Sequence, residues 1–206
     1  MDNTALFKLS YGVFVLTAKS GEKENGCITN TCIMTTVTPT QVALCVQKSN
    51  YTCDLMLESG VFAVSILDET TTFDTISYWG FRSGRDVDKI SVLDLPRDEN
   101  GVPYVTRQVT SVLSCKTTAV HDLDTHYLFV AEVLDAKLIS GKAPLTYADY
   151  QDKVKPKPAA VKQEKKIIGW RCKICQYEYE GAELPEDFLC PLCGHDKDDF
   201  EPIYEE

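Results

Sequence analysis

No run in these 206 residues is long and apolar enough to span a membrane. Met1 is followed by polar Asp2, Asn3 and Thr4, so the charged-then-apolar pattern of a secretory leader is missing. These absences lead us to expect a cytoplasmic protein with no membrane partner. Basic residues are scarce: 21 Lys and Arg face 31 Asp and Glu, a net charge of −10. Nucleic acid needs a basic surface, so a nucleic-acid partner is excluded. No G-x-G-x-x-G follows a strand-like segment, and strands do not alternate with helices. A doubly wound dinucleotide-binding domain is therefore not expected.

Cysteine, in contrast, is plentiful, with nine in all. Cys172, Cys175, Cys190 and Cys193 form two C-x-x-C pairs separated by 14 residues. Each pair puts two thiolates on one tight knuckle, and two facing knuckles supply a tetrahedral set for zinc or iron. Such spacing reads as a metal site rather than a disulfide framework. Zinc would make it scaffolding, and iron would make it carry an electron. A segment of about 40 residues cannot bury enough apolar surface to fold alone, so the metal is part of the fold. Trp170, Tyr177, Tyr179, Phe188 and Phe200 are expected to build a small core over it, and knuckle amides to hydrogen-bond the sulfurs. Cys27, Cys32, Cys45, Cys53 and Cys115 read as free thiols in a reducing compartment, serving mainly as small apolar side chains.

The sequence around the knuckles closely resembles a rubredoxin. The carriers are Tyr177-Glu178-Tyr179, the run Leu184-Pro185-Glu186-Asp187-Phe188-Leu189-Cys190-Pro191-Leu192-Cys193-Gly194, and the acidic Asp198-Asp199-Phe200. Two departures stand outside the ligand set: Phe188 where Trp is usual, and Gln176 where Gly is usual. A zinc ribbon shares the four ligands. The aromatic set and the acidic tail favour one iron on the four cysteines.

Charge divides the chain into three. Residues 1–150 carry 12 Lys/Arg and 18 Asp/Glu, net −6; residues 151–166 carry 6 and 2, net +4; residues 167–206 carry 3 and 11, net −8. The middle block contains Lys153-Val154-Lys155-Pro156-Lys157-Pro158 and reads as a flexible basic Pro-rich linker. The acidic module beyond it would be steered toward a basic docking surface.

Residues 1–150 read as mainly β. Tyr11–Ala18 is β-branched and aromatic, and Gly21–Gly26 ends in Asn25-Gly26, a hairpin signal. Further strands are expected over Cys27–Val37, Gln41–Gln47, Val61–Ile66, Ser111–Asp122 and His126–Leu138. Short helices are expected over Thr4–Ser10, Tyr51–Glu58 and Thr71–Tyr78. Many strands with few helices point to a barrel.

Several pieces of this region, in order, resemble the flavin reductase-like domains. They are Asn25–Cys32, Val37–Val46, Lys48–Thr52, the loop Phe81–Lys89, Asp124–Val133 and Ala143–Tyr147. The resemblance implies an FMN-binding split β-barrel, homodimeric through that domain. Ser49, Asn50 and Thr52 at a helix start, with Lys48 and with Arg85 or Lys89, would cradle the FMN phosphate. Asn50 and Thr52 also fit a plain helix N-cap. Thr29, Asn30, Thr31 and Cys32 would bond the polar edge of the isoalloxazine ring, although β propensity also accounts for threonines there. His126, in Asp124-Thr125-His126, resembles the family position beside flavin and nicotinamide, where it would orient the hydride donor or stabilise the reduced flavin. A hydrogen-bonded strand-end residue is its other reading.

The whole chain resembles the high-molecular-weight rubredoxins, which join these two domains and are associated with flavodiiron oxygen or nitric oxide reductases. The resemblance implies electrons entering from NADH, NADPH or an upstream reductase, passing through FMN to the iron, and leaving to a flavodiiron-type acceptor protein. Two rivals remain at this point. One is a non-enzymatic shuttle without a nicotinamide site. The other is a zinc-ribbon interaction module on a flavin-free barrel.

Overall fold

The computed structural model describes residues 2–157 and 167–204. The chain divides into two compact units, Met1–Pro156 and Lys157–Glu206. Among the described residues no helix is long and apolar enough to cross a membrane.

The first unit is a seven-stranded antiparallel sheet. Its strands are β1 (Phe14–Ser20), β2 (Lys23–Thr29), β3 (Cys32–Val37), β4 (Thr40–Gln47), β5 (Val61–Leu67), β6 (Val109–Leu123) and β7 (His126–Leu138). They lie in the order β2-β1-β5-β6-β7-β4-β3. The two end strands, β2 and β3, are consecutive in sequence, so the sheet curls back on itself. Cys27 of β2 and Val42, Leu44 and Val46 of β4 share one buried cluster although three or more strands separate them in the sheet. Helix α1 (Tyr51–Ser59) fills that interior with Cys53, Leu55 and Met56.

Alternation places the other side of the central strands in a second core. Leu16, Phe62 and Val64 face the interior, whereas Val15 and Ala63 face outward. Helix α2 (Phe73–Gly80) covers that outer face with Ile76 and Trp79, joined by Val102, Tyr104 and Leu145. Strands buried on both faces need apolar residues at nearly every position, and β5 has the sequence VFAVSIL.

Three expectations are corrected. The hairpin turn falls at Gly21-Glu22, where Gly21 takes φ 58°, and not at Asn25-Gly26. Asn25 and Gly26 lie inside β2, opposite Ala18 and Thr17. Cys27–Val37 is not one strand, because the chain breaks at Asn30 and Thr31 between β2 and β3. The first unit also continues past residue 150: α3 (Tyr147–Asp149) runs into a π-helical turn, Tyr150–Val154, with Tyr150 buried. The rest of the expected linker, residues 158–166, lies outside the described residues.

The second unit holds a three-stranded antiparallel sheet of β8 (Ile167–Cys172), β9 (Glu178–Glu180) and β10 (Phe200–Tyr204), in the order β10-β8-β9. Phe188 is the hub of its aromatic core, edge-on to Tyr179 at 4.9 Å and to Phe200 at 5.5 Å between ring centroids. Trp170, Tyr177 and Leu184 complete the packing.

Candidate flavin cleft and metal centre

Three adjoining cavities run along one side of the barrel. One, of about 180 Å³, is lined by Cys27, Ile28, Thr29, Asn30, Thr31, Cys45, Val46, Gln47, Asn50 and His126. A second, of about 250 Å³, shares Cys27, Gln47 and Asn50 with it and adds Ser49, Trp79, the loop Phe81–Gly84 and Lys89. The third, of about 300 Å³, shares Ile28, Thr29 and Asn30 with the first, and its Phe81, Tyr147, Tyr150, Val13 and Ile76 make it largely apolar. A larger cavity of about 580 Å³ lies against another face of α2 and contains none of the expected flavin ligands.

The fold thus brings Thr29, Asn30, Thr31, Ser49, Asn50, Lys89 and His126 into one cleft. The break between β2 and β3 matters here. Thr31 donates from Oγ1 to the Cys45 carbonyl at 3.0 Å, and Thr29 reaches the same carbonyl at 3.3 Å. These bonds tie the end of β2 and the β2–β3 connection to β4 at the cleft. His126 starts β7 directly opposite Gln47 of β4, and its Nδ1 lies 2.8 Å from Thr125 Oγ1. Asn50 is the N-cap of α1, its side chain accepting from the Thr52 amide at 3.1 Å.

Lys89 is the informative group. It is 2% exposed, and its ammonium donates to the Trp79 and Arg82 carbonyls, each at 3.0 Å. Among the described residues no carboxylate pairs with it. Burial pulls its pKa below the ordinary lysine value, with an opposing effect from Cys27. An isolated buried cation is costly, and a phosphate in the cavity beside Ser49 and Asn50 would offset that cost. The residues present therefore fit a flavin phosphate.

Four expected ligands stand elsewhere. Lys48 is engaged by Asp122 at 2.6 Å and lies over the Tyr127 ring. Arg85 pairs with Asp54 at 2.5 Å, stacks over Tyr51 and lines a neighbouring cavity instead. Thr52 is fully buried, and its Oγ1 accepts from Asn25 Nδ2 at 2.9 Å. Cys32 packs against the barrel core, where burial pushes its thiol up to about 12. In exchange, Cys27, Gln47, Phe81, Tyr147 and Tyr150 line the cleft without having been singled out. Cys27, Phe81 and Tyr147 lie within the stretches that resemble flavin reductase-like domains, whereas Gln47 and Tyr150 lie outside them, and the β4–β7 register brings Gln47 opposite His126.

In the second unit, the sulfurs of Cys172, Cys175, Cys190 and Cys193 all lie within 4.8 Å of one another. Cys172 and Cys193 are 3.7 Å apart and Cys175 and Cys190 3.4 Å. A tetrahedron with metal–sulfur arms of about 2.3 Å has edges of about 3.8 Å, so the set fits a tetrathiolate metal. Backbone amides point at these sulfurs: Tyr177 at Cys175, Leu192 and Cys193 at Cys190, and His195 at Cys193. Gln176 and Gly194 follow the second cysteine of each knuckle, and both are left-handed, with φ 63° and 72°.

A curled barrel with a cleft for a flavin, followed by a small tetrathiolate domain, defines a two-cofactor redox protein. Residues 6–155 match the flavin reductase like domain, and residues 170–201 match the rubrerythrin, rubredoxin-like domain. The chain belongs to the flavin reductase-like family and carries a C-terminal rubredoxin-like domain; its cofactors are a flavin and one iron. Along 98% of its length it is similar, at 31% identity, to the high molecular weight rubredoxin of Moorella thermoacetica, which it covers completely. It also resembles the ferric-chelate reductase (NAD(P)H) of Archaeoglobus fulgidus, with 37% identity over 73% of this chain and 89% of that one. Among solved structures, flavoredoxin from Methanosarcina acetivorans superposes with a TM-score of 0.57 at 25% identity, covering 63% of this chain and 69% of that one.

Proposed function

We propose that the protein is a two-to-one electron converter. It takes electrons from NADH or NADPH onto FMN in the barrel, passes them to the iron, and delivers them singly to an acceptor protein. The observation that carries this reading is the union, on one chain, of a flavin reductase-like cleft and a four-sulfur site. A flavin accepts a hydride pair and releases electrons one at a time, and a tetrathiolate iron carries one.

The chain's own residues have distinct parts in this reading. Ser49, Asn50 and Lys89 hold the phosphate end, and Thr29, Asn30 and Thr31 meet the polar ring edge. His126 lines the same cavity as Thr29, Asn30 and Thr31 and orients the donor. The apolar compartment with Phe81, Tyr147 and Tyr150 keeps water from the ring. The name of the Archaeoglobus fulgidus relative supports NAD(P)H as donor. Resemblance along the whole chain to a high molecular weight rubredoxin supports a flavodiiron-type acceptor.

Pairing of two barrels is supported by β3, an edge strand with Ile33, Met34 and Val37 exposed by 64, 66 and 73%. The five thiols outside the metal set remain unpaired, in keeping with a reducing cytoplasm. The residues between the domains act as a tether. In this reading the roughly 12 residues between Val154 and Ile167 raise the effective concentration of one domain at the other to about the millimolar range.

Anoxic mixing of the purified protein with NADH or NADPH tests the donor. Bleaching of the flavin band followed by the ferric band is expected. If neither nucleotide bleaches the flavin, the protein is a shuttle served by a separate reductase.

A further inference from the structure

We infer that His195 tunes the redox site by donating its Nδ1–H to the Cys193 thiolate. The ring Nδ1 lies 3.2 Å from Cys193 Sγ. A metal-bound thiolate has no proton, so the nitrogen is the donor, whether the imidazole is neutral or charged. Among the described side chains outside the four cysteines, His195 is the one within hydrogen-bond reach of a ligand sulfur.

Its position is built into the knuckle. The His195 amide also points at Cys193 Sγ, and its carbonyl accepts from the Cys190 amide at 2.8 Å. The Leu189–Asp196 bridge closes the loop around it. Two donors from one residue therefore converge on one sulfur. Cys175 and Cys193 are half-buried, whereas Cys172 and Cys190 are buried, so the imidazole reaches one of the two more open sulfurs.

The electrostatic consequence has a definite sign. The ferric tetrathiolate gains one unit of negative charge on accepting an electron. A donor aimed at sulfur stabilises the more negative form more strongly and raises the potential. His195 thus biases the iron toward taking an electron from the flavin. This inference rests on the iron reading of the site.

The test uses full-length, iron-loaded protein and spectroelectrochemical titration of the ferric band. His195→Phe keeps a ring and removes the donor. His195→Asn places an amide nitrogen near the Nδ1 position and keeps it. The Phe variant should lower the one-electron reduction equilibrium about tenfold, which is about 59 mV. The Asn variant should return most of that shift, and the sulfur-to-iron absorption should move with the potential. A Phe variant with full iron content and an unchanged potential overturns the inference, as does an Asn variant displaced as far as Phe. A colourless, redox-silent protein overturns the iron reading itself, and the inference with it.

Discussion

Gln176 and Gly194 occupy equivalent left-handed positions behind the two knuckles, and only one of them is glycine. A side chain at positive φ costs about 1–2 kcal/mol, part of which glycine returns through greater freedom of the unfolded chain. Gln176→Gly should therefore raise the stability of the small domain by about 0.5–1 kcal/mol, read as a shift in its thermal transition. Lys89 makes a different residue-scale prediction. Lys89→Met should weaken FMN binding at least tenfold in a fluorescence titration while the fold persists, since removal of a buried charge relieves its burial cost. The flavin-free proteins should also differ in pH response. The lysine pKa is lowered in the fold, so between that value and the ordinary 10.5 the unfolded chain binds more protons. The wild-type apo protein should gain stability as pH rises through this window, relative to Lys89→Met. Equal slopes in denaturant titrations would contradict the burial argument. The sequence made Lys89 a candidate but offered no means of separating it from Lys48 or Arg85. All three are cations near the same motifs, and only tertiary packing assigns Lys48 to Asp122 and Arg85 to Asp54.

At the scale of elements, glycines decide how the cleft is assembled. A methyl at Gly26 would come within 2.6 Å of the Trp79 ring, which explains why an Asn-Gly pair sits in a strand. The pair reads as a turn from local chemistry, but close approach of α2 requires it where it is. A methyl at Gly84 would meet the Asn25 side chain at 2.2 Å, and Asn25 is itself anchored by Thr52. Gly84→Ala should cost about 1–3 kcal/mol and loosen FMN binding, because it pushes out the loop that delivers Lys89. Calorimetry and flavin titration would check both effects, and a variant with native stability would refute the contact. Strand β7 was legible to its ends because His126–Leu138 is bounded by an Asp124 turn. The break at Asn30 and Thr31 was not legible, since the β-branched residues on both sides of Asn30 read as one strand and the bend is fixed by a hydrogen bond from Thr31 to Cys45, 14 residues away.

For the whole molecule, the two units depend on different forces. The barrel has two buried clusters of its own, whereas the apolar cluster of the small domain has Phe200 and two ligand cysteines as its buried members. Metal removal should unfold the small domain and leave the barrel's strand signal intact, so the loaded protein should show two separate transitions where a Cys190→Ser variant shows one. The metal site was legible because its ligands lie close in sequence. The flavin cleft gathers residues from 13 to 150, so the chain had to be folded before Gln47 and Tyr147 could be seen to meet Thr29. The central claim is that electrons pass from flavin to iron within one chain. Light-driven reduction of the protein's own flavin under anoxia, followed at the flavin and ferric bands, tests it most directly. The iron should bleach as the flavin reoxidises, at a rate independent of protein concentration. A flavin that stays reduced beside ferric iron, or a rate proportional to concentration, would contradict it.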